Sequence, residues 1–505
     1  MIRTIEMKNI IKQFPLVRAV DNVSFMIKAG EIHSLLGENG AGKTCLMKIL
    51  YGMLNSEKGT IKINGKVVQI KNPKMAIDLG IGMVHQHFML TPVMTITENI
   101  IVNNEPLYKK GLFVDYTRAR KQVQELIDKY NFNIDANAYV KDLSVGEQQR
   151  VEILKAIYRG AKILILDEPT AVLTPQEVGE LFTIMRQLKE AGTGIVIITH
   201  KLKETLEIAD CISVLRDGKM IRHRETLENL NEKILAEMMV GREVELNIRA
   251  DESNMGEPYF FVNNCNLKND GRDILTDINF EIRKGEILGI AGIEGNGQTE
   301  LIEILTGLRK ATSIKIMKGE IEIKGQSSDF LRAKIGHIPE DRLDRGLIAQ
   351  MTIEENFILG YHNLSQYVKH GFLNLKNSKE NTLKAIRAYK IKTPNEKEVV
   401  SSLSGGNQQK VVVARVVSQN PDVLIVAQPT RGVDVGAMEY IHKQILKLKK
   451  EHKTILLISA DLEEVYDLSD RIAVIYNGKI NYILDKNKTN QLELGLLMTG
   501  GTLND

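Results

Sequence analysis

Two stretches of this sequence have the residue types that bind and split a nucleotide phosphate, and in one of them most of the reactive groups have been replaced. The intact stretch begins at Gly37-Glu38-Asn39-Gly40-Ala41-Gly42-Lys43-Thr44, between an apolar run at 32–36 and a helix-patterned run at 45–50. Glycines let backbone N–H groups wrap a phosphate, and the N-terminus of the following helix adds positive potential. Lys43 would neutralise the β- and γ-phosphates, and Thr44 would offer its hydroxyl to Mg²⁺. Farther along, the apolar run 163–166 leads into Asp167-Glu168. Two acids at the end of an apolar strand are costly without a cation beside them. Asp167 would hold Mg²⁺, directly or through water, and Glu168 would polarise the attacking water. His200 follows the next apolar run, 195–198 with Thr199, where it can reach the γ-phosphate from the far side.

Three further positions carry weaker signals. Gln86, in GIGMVHQHF, lies where a loop leaves the core, and its amide can reach Mg²⁺ or water and report the γ-phosphate. His85 and His87 flank it, but on an extended segment both point away from the Gln86 face. No third ligand of suitable spacing is near, so no metal site is expected there. Phe14 precedes the first core strand; it either stacks on adenine or fills the core. Cys45 reads as a small buried helix residue, although a helix N-terminus can make a thiol reactive. The apolar stretch 88–94 is either core or a docking surface.

The same elements return in the same order after roughly 255–260 residues, a duplicated domain rather than a short-period repeat. GENGAGKT becomes GIEGNGQT (292–299), LSVGEQQR (143–150) becomes LSGGNQQK (403–410), and ILILDEPT becomes VLIVAQPT (423–430). In the second copy Lys43 is replaced by Gln298, Asp167 by Ala427, Glu168 by Gln428 and His200 by Ala460. Gln298 cannot neutralise phosphate, and Gln428 cannot act as a base.

These motifs must be positioned by a scaffold, and the bulk properties say which kind. A chain of 505 residues fits two domains of about 250 residues each. We expect domain 1 over 1–246, a polar linker at 247–257 and domain 2 over 258–505. Uninterrupted Ile/Val/Leu runs indicate parallel strands buried on both faces. Each half is therefore expected to be α/β, with an added antiparallel β layer and a helical insertion at about 106–139 or 364–401. With 43% hydrophobic and 26% charged residues the composition is globular, and a net charge of +3 neither requires nor excludes a polyanionic partner. Three scattered cysteines argue against a disulfide framework or zinc site. No run of about 18 apolar residues marks a membrane span, and charges in the N-terminal stretch argue against a signal peptide. A soluble protein is expected.

The set of phosphate loop, LSxGxQQ, apolar-Asp-Glu-Pro and downstream His resembles the nucleotide-binding domain of ABC ATPases, twice over. LSVGEQQRVEILKA, AVLTPQE, IPEDR (338–342) and LSGGNQQKVVVAR look more closely like the fused double-domain ATPases of bacterial simple-sugar and nucleoside importers. GMVHQHFMLTP is most similar to the nucleoside branch. The resemblance implies two tandem P-loop domains packed head to tail, with ATP and Mg²⁺ at composite sites. One site would join Phe14, Lys43, Thr44, Gln86, Asp167, Glu168 and His200 to Ser404, Gly405 and Gly406. The other would join Asn296, Gly297, Gln298 and Thr299 to Ser144 and Gly146, and should not hydrolyse ATP. There Glu340 replaces Gln86, and Asn269 replaces Phe14. Integral membrane permeases, as a homodimer or heterodimer, and an external substrate-binding protein would be the partners. The place would be the cytoplasmic face of the membrane, with no nucleic acid and no self-dimer needed. The competing readings are a double-domain ABC protein acting on ribosomes or nucleic acid, and a non-hydrolytic scaffold.

Overall fold

A computed structural model of the protein describes residues 2–14, 17–85, 88–108, 113–170, 173, 175–245, 248–250, 255–269, 271–293 and 295–502. The chain forms two compact units, Met1–Val244 and Glu245–Asp505. Residues after the first unit belong physically to the second: the Ala250 N–H donates to the Asp467 carbonyl at 3.0 Å, and Lys443 pairs with Glu245 at 3.0 Å.

In the first unit a six-stranded sheet runs Lys219–Thr226, Cys211–Arg216, Ile32–Leu36, Gly194–Thr199, Ile163–Asp167, Ile81–Val84. All neighbours are parallel except the first pair. The central strands are buried at every position, as expected for β-branched runs covered on both faces. Their register decides the site. Thr199 lies opposite Leu36 and Ile198 opposite Asp167, so three strands end along one sheet edge. A four-stranded antiparallel sheet (Arg18–Lys28, Thr4–Gln13, Lys58–Ile63, Lys66–Val68) packs its apolar face onto the helix Lys43–Leu50 through Met7, Phe25, Leu46 and Met47. Asn64-Gly65, both at positive φ, close its hairpin, where only such residues turn the chain without strain.

The helical layer comprises Ile96–Ile101, Tyr116–Lys129 and Val145–Tyr158, joined to the sheet by Ile100, Val123, Val151, Leu154 and Leu166. Capping boxes start two of these helices, Thr95 with Glu98 and Ser144 with Glu147.

The second unit repeats the design. Its six strands run Ile335–Ile338, Val423–Ala427, Thr454–Ser459, Ile287–Ala291, Arg471–Tyr476, Lys479–Asp485. Its second hairpin turns at 319–320, between Ser313–Lys318 and Ile321–Ile323. Each unit places a glutamate at the foot of its phosphate-loop strand and neutralises it with an arginine: half-buried Glu31 with Arg224, and buried Glu286 with Arg471. The arginines come from different strands, so the charge pair is kept while its sequence position is not. No described helix is long and apolar enough to cross a membrane.

Candidate functional site

In the first unit the phosphate loop leaves Leu36 and ends at Gly42, which caps the helix Lys43–Leu50 with φ 101° and no side-chain capping bond. A Cβ at Gly42 would lie 2.2 Å from the Ala19 carbonyl oxygen, so glycine is needed both for the left-handed backbone and for the close approach. The helix therefore starts at the loop with no side-chain cap, its N-terminal main-chain N–H groups at the end of the loop. Lys43 is 5% exposed and folds over its own loop, its Nζ donating to the carbonyls of Gly37 at 2.6 Å and Glu38 at 3.0 Å.

Thr44 Oγ1 donates to Asp167 Oδ1 at 3.3 Å. This is the hydroxyl and carboxylate expected for Mg²⁺, brought together from residues 123 apart in sequence. Burial, reinforced by the neighbouring Glu168 charge, pushes the Asp167 carboxyl above its ordinary range. A buried acid so placed is relieved by a cation. Glu168 behaves oppositely. Burial raises it, but the hydrogen bond from His200 and the charges of His200, Lys43 and Lys201 together outweigh burial and hold it below the usual value. Its Oε1 stands 3.1 Å from His200 Nδ1. Glu168 also adopts φ 49°, a left-handed conformation that costs a non-glycine residue about 1–2 kcal/mol. The bond from its own N–H to the Ile198 carbonyl at 2.9 Å holds it there. Lys43, Thr44, Asp167, Glu168 and His200 are thus gathered at one sheet edge, as their motifs led us to expect.

Other positions fall differently. Gln86 and His87 lie outside the described residues. His85 is half-buried beside Tyr51, and burial lowers its pKa. Phe14 is 40% exposed at the end of its strand, with Lys12 Nζ 5.5 Å from its ring centre, so the core reading fails. Burial raises the Cys45 thiol, so the helix N-terminus does not make it reactive. The stretch from 88 is a surface segment: Met89 is 62% and Val93 75% exposed, which removes the buried-core reading. It is tied down by the Met89 N–H donating to Glu152 Oε1 at 2.7 Å.

Some polar connections were not legible in the sequence. Thr170 Oγ1 donates to Glu204 Oε2 at 2.5 Å, and Lys201 bridges Glu204 at 3.0 Å and the Thr170 carbonyl at 2.9 Å. Only the repeated pairing of Thr430 with Glu464 in the other unit could have hinted at it. Glu31, His33 and Cys211 also come within ligand distance of one another. Both Glu31 oxygens already hold the Arg224 guanidinium, at 2.5 and 2.8 Å, so a cation occupies that position.

The second unit keeps the backbone and changes the chemistry. Gly297 caps the helix Gln298–Leu305 with φ 104°. Gln298 Nε2 donates to the Ile293 carbonyl at 2.9 Å, and Asn296 ties the loop to Ile293 and Asn477. Ala427 is buried in the core. Gln428 keeps the left-handed backbone, φ 45°, and its N–H donates to the Ile458 carbonyl at 2.8 Å. Its Oε1 accepts from the Ala460 N–H at 3.2 Å. Thr299 Oγ1 donates to Glu340 Oε2 at 3.4 Å.

The two LSxG helices also differ. Ser144 Oγ accepts from the Glu147 N–H, closing a capping box at Val145–Tyr158. Ser404 makes no such cap for Gly405–Val417; its Oγ accepts from Asn407 Nδ2 at 2.9 Å. Gly406 is buried and Gly405 half-buried; a Cβ on Gly405 would meet Arg342 Nη2 at 2.8 Å, and one on Gly406 would meet Asp434 Oδ2 at 2.9 Å.

The ABC transporter family profile matches residues 20–171 and 275–431. The chain is 44% identical to the nucleoside import ATP-binding protein of Lactococcus lactis subsp. cremoris, covering 99% of both chains. It is 46% identical to the guanosine import ATP-binding protein of Bacillus subtilis (99% of this chain, 98% of the relative). It is 39% identical to the glucose import ATP-binding protein of Haloferax volcanii (98% and 96%). The archaeal ribosome recycling factor in complex with stalk protein aligns at TM-score 0.60 over 94% of this chain and 90% of its own, at 19% identity, which shows a shared fold alone. With the profile matched in both halves and relatives alike over their whole length, the chain belongs to the ABC transporter family and carries two of its ATPase domains.

Proposed function

We propose that this chain is the ATP-hydrolysing subunit of an importer for nucleosides, working at the cytoplasmic face of a membrane on separate permease subunits. The observation that supports hydrolysis best is the pairing of Thr44 with Asp167 beside the pairing of Glu168 with His200. The two relatives of 44% and 46% identity both import nucleosides by name, against 39% for the glucose relative, and this favours nucleosides over sugars.

Domain 1, residues 1–246, supplies the competent half-site, joined by the linker 247–257 to domain 2, 258–505. The residues suit a Mg²⁺-bound triphosphate: Thr44 and Asp167 would hold the metal together with Gln86, and the raised Asp167 carboxyl is the cost that a cation removes. Bound Mg²⁺ would supply charge neutralisation at the phosphates. The loop N–H groups of residues 37–44 orient the phosphates, and Lys43 exchanges its two loop carbonyls for γ-phosphate oxygens. Glu168, kept ionised, takes the proton of the attacking water, while His200 fixes its carboxylate and faces the γ-phosphate. Phe14 stacks on the base. In this proposal, as the resemblance implies, Ser404, Gly405 and Gly406 of domain 2 would complete the competent site, and Ser144 and Gly146 would serve the site of Asn296, Gly297, Gln298 and Thr299.

Reconstitution with its permeases and binding protein in vesicles tests the reading. ATP-dependent uptake of labelled nucleosides is expected. Uptake of xylose or glucose in their place, or co-sedimentation with ribosomes instead of permease, would overturn it.

A further inference from the structure

No Asp or Glu lies between Glu355 and Glu380, a stretch that holds Lys369, Lys376 and Lys379. In its middle the strands Val368–Lys369 and Phe372–Leu373 form a hairpin, with Val368 opposite Leu373 and Lys369 opposite Phe372. His370 and Gly371 turn it at φ 51° and 83°, the left-handed pair that suits a two-residue hairpin. The stem is locked to the unit. Tyr367 is buried, its hydroxyl accepting from Gln419 Nε2 at 3.3 Å and its carbonyl accepting from the Asn374 N–H at 2.8 Å. Asn374 in turn caps the helix Leu375–Ala388, its side chain accepting from the Asn377 N–H at 3.2 Å.

On this fixed stem the tip holds apolar side chains out in solvent. Phe372 is 80% and Leu375 67% exposed, with Leu373 exposed between them. Large apolar groups clustered on a rigid mount mark an interaction surface. Lys369 and Lys376 flank the cluster, and no carboxylate pairs with either among the described residues, whereas Lys379 is matched by Glu396 at 2.9 Å. The first unit repeats the arrangement. Leu107–Tyr108 pairs with Phe113–Val114 ahead of the helix Tyr116–Lys129, which Asp115 caps. Leu107, Phe113 and Tyr116 are exposed there, as are Arg118 and Arg120 at the start of the helix. The individual side chains differ, so what recurs is the combination of exposed aromatic or aliphatic groups with basic ones.

Size and charge select the occupant. Two residues per strand and one helix turn offer far less than the roughly 800 Å² per partner of a stable protein interface. Aromatic and leucine side chains beside lysines instead match the boundary of an anionic bilayer, where rings settle at headgroup depth and lysines meet lipid phosphates. We infer that the hairpin tip of the second unit, Phe372, Leu373 and Leu375 with Lys369 and Lys376, is a contact for an anionic lipid surface. The inference rests on the reading of the chain as a membrane-side ATPase for its setting alone, and the contact is made without the permeases. It is shallow and reversible, because the apolar area is small and the charges share the work.

The full-length chain has no tryptophan, so Phe372→Trp makes a single reporter at the tip. Its emission is followed on adding vesicles of phosphatidylcholine, alone or mixed with phosphatidylglycerol, in both cases without permease. A blue shift and quenching by brominated acyl chains are expected with the anionic vesicles, fading in high salt. Leu492→Trp, at another exposed position on the helix Gln491–Met498, should show neither. Adding Lys369→Glu and Lys376→Glu to Phe372→Trp should weaken vesicle binding about tenfold or more, since each lysine near an anionic surface contributes about fivefold. Both lysines are exposed, so the melting temperature should not move. No blue shift with anionic vesicles, equal quenching at the two reporters, or binding unmoved by the lysine reversals would overturn the inference. So would a shift seen only with permease in the vesicles, which would assign the tip to a protein partner. A shift already complete without lipid would assign it to a second copy of the chain and overturn it as well. Because the vesicles hold lipid alone, failure of nucleoside uptake leaves this result untouched, and the two readings fail separately.

Discussion

Glu168 Oε1 stands 3.1 Å from His200 Nδ1, whereas the equivalent Oε1 of Gln428 has turned to the Ala460 N–H at 3.2 Å. Both residues keep the same left-handed backbone and the same bond to the neighbouring strand. The second unit thus differs by side-chain replacement on a preserved main chain, and the predictions divide between the two units.

Glu168→Gln should reduce ATP hydrolysis by about 10²–10⁴-fold, the range of general-base assistance, while nucleotide binding survives. Turnover of the assembled complex and binding of a fluorescent ATP analogue measure the two separately. Turnover near the parent rate would remove Glu168 from the base role.

Lys43→Ala and Gln298→Ala should differ sharply. Lys43 carries the charge for the γ-phosphate, and losing one such stabilising group costs about 10²–10³-fold. Gln298 carries no charge and donates to the Ile293 carbonyl at 2.9 Å, so its truncation should leave transport within a few-fold. Equal losses in vesicle uptake would show that the second unit contributes to chemistry.

Ser404→Arg should abolish hydrolysis, and Ser144→Arg should matter less. The Ser144 hydroxyl is spent on its own capping box, while the helix after Ser404 has an uncapped first turn. Side-by-side ATP turnover in complex with the permease decides it. A dead Ser144 variant beside an active Ser404 variant would reverse the pairing of half-sites.

Asp167→Asn should separate stability from function. The folded-state pKa of Asp167 is raised, so folding opposes its charge; that penalty is full above the raised value and fades as pH falls towards the ordinary carboxylate range. At neutral pH the nucleotide-free Asn variant is therefore expected to melt no lower than the parent, yet to lose the stabilisation that Mg²⁺ and ATP confer. Differential scanning calorimetry with and without Mg²⁺-ATP reads both. A markedly lower melting point without ligand would contradict the argument.

Acid should weaken the first unit through His33. Burial, helped by Arg224, lowers its pKa to about 3. A depressed folded pKa gives stability that is complete above the unfolded value of about 6.5 and is lost as pH falls towards the folded one, about 2 kcal/mol by pH 5. His33 Nε2 meets Ser213 Oγ at 2.9 Å, and the second unit has Leu288 and Ala473 in these places. The double variant His33→Leu with Ser213→Ala should lose that much less between pH 7.5 and 5, as denaturant unfolding would measure.

What the sequence determined by itself is local. A phosphate loop is one continuous stretch whose glycines, lysine and threonine are adjacent, so Gly37 to Thr44 announce their chemistry without a fold. Apolar runs ending in Asp167-Glu168 or Thr199-His200 likewise announce strands with reactive ends, because burial on both faces demands continuous Ile, Val and Leu. Duplication then exposed the second copy's losses by simple comparison. What only the tertiary structure decided depends on the register between strands far apart in sequence. That register sets Thr199 beside Leu36 and Ile198 beside Asp167, and so brings Thr44 to Asp167 and His200 to Glu168. It also brings Glu340 to Thr299, a contact across 41 residues that a position-by-position comparison records only as a glutamine replaced by a glutamate. The exposure of Phe14 and Met89 and the raised Cys45 thiol belong to the same class. Burial is a property of what packs around a residue, and no local spacing encodes it.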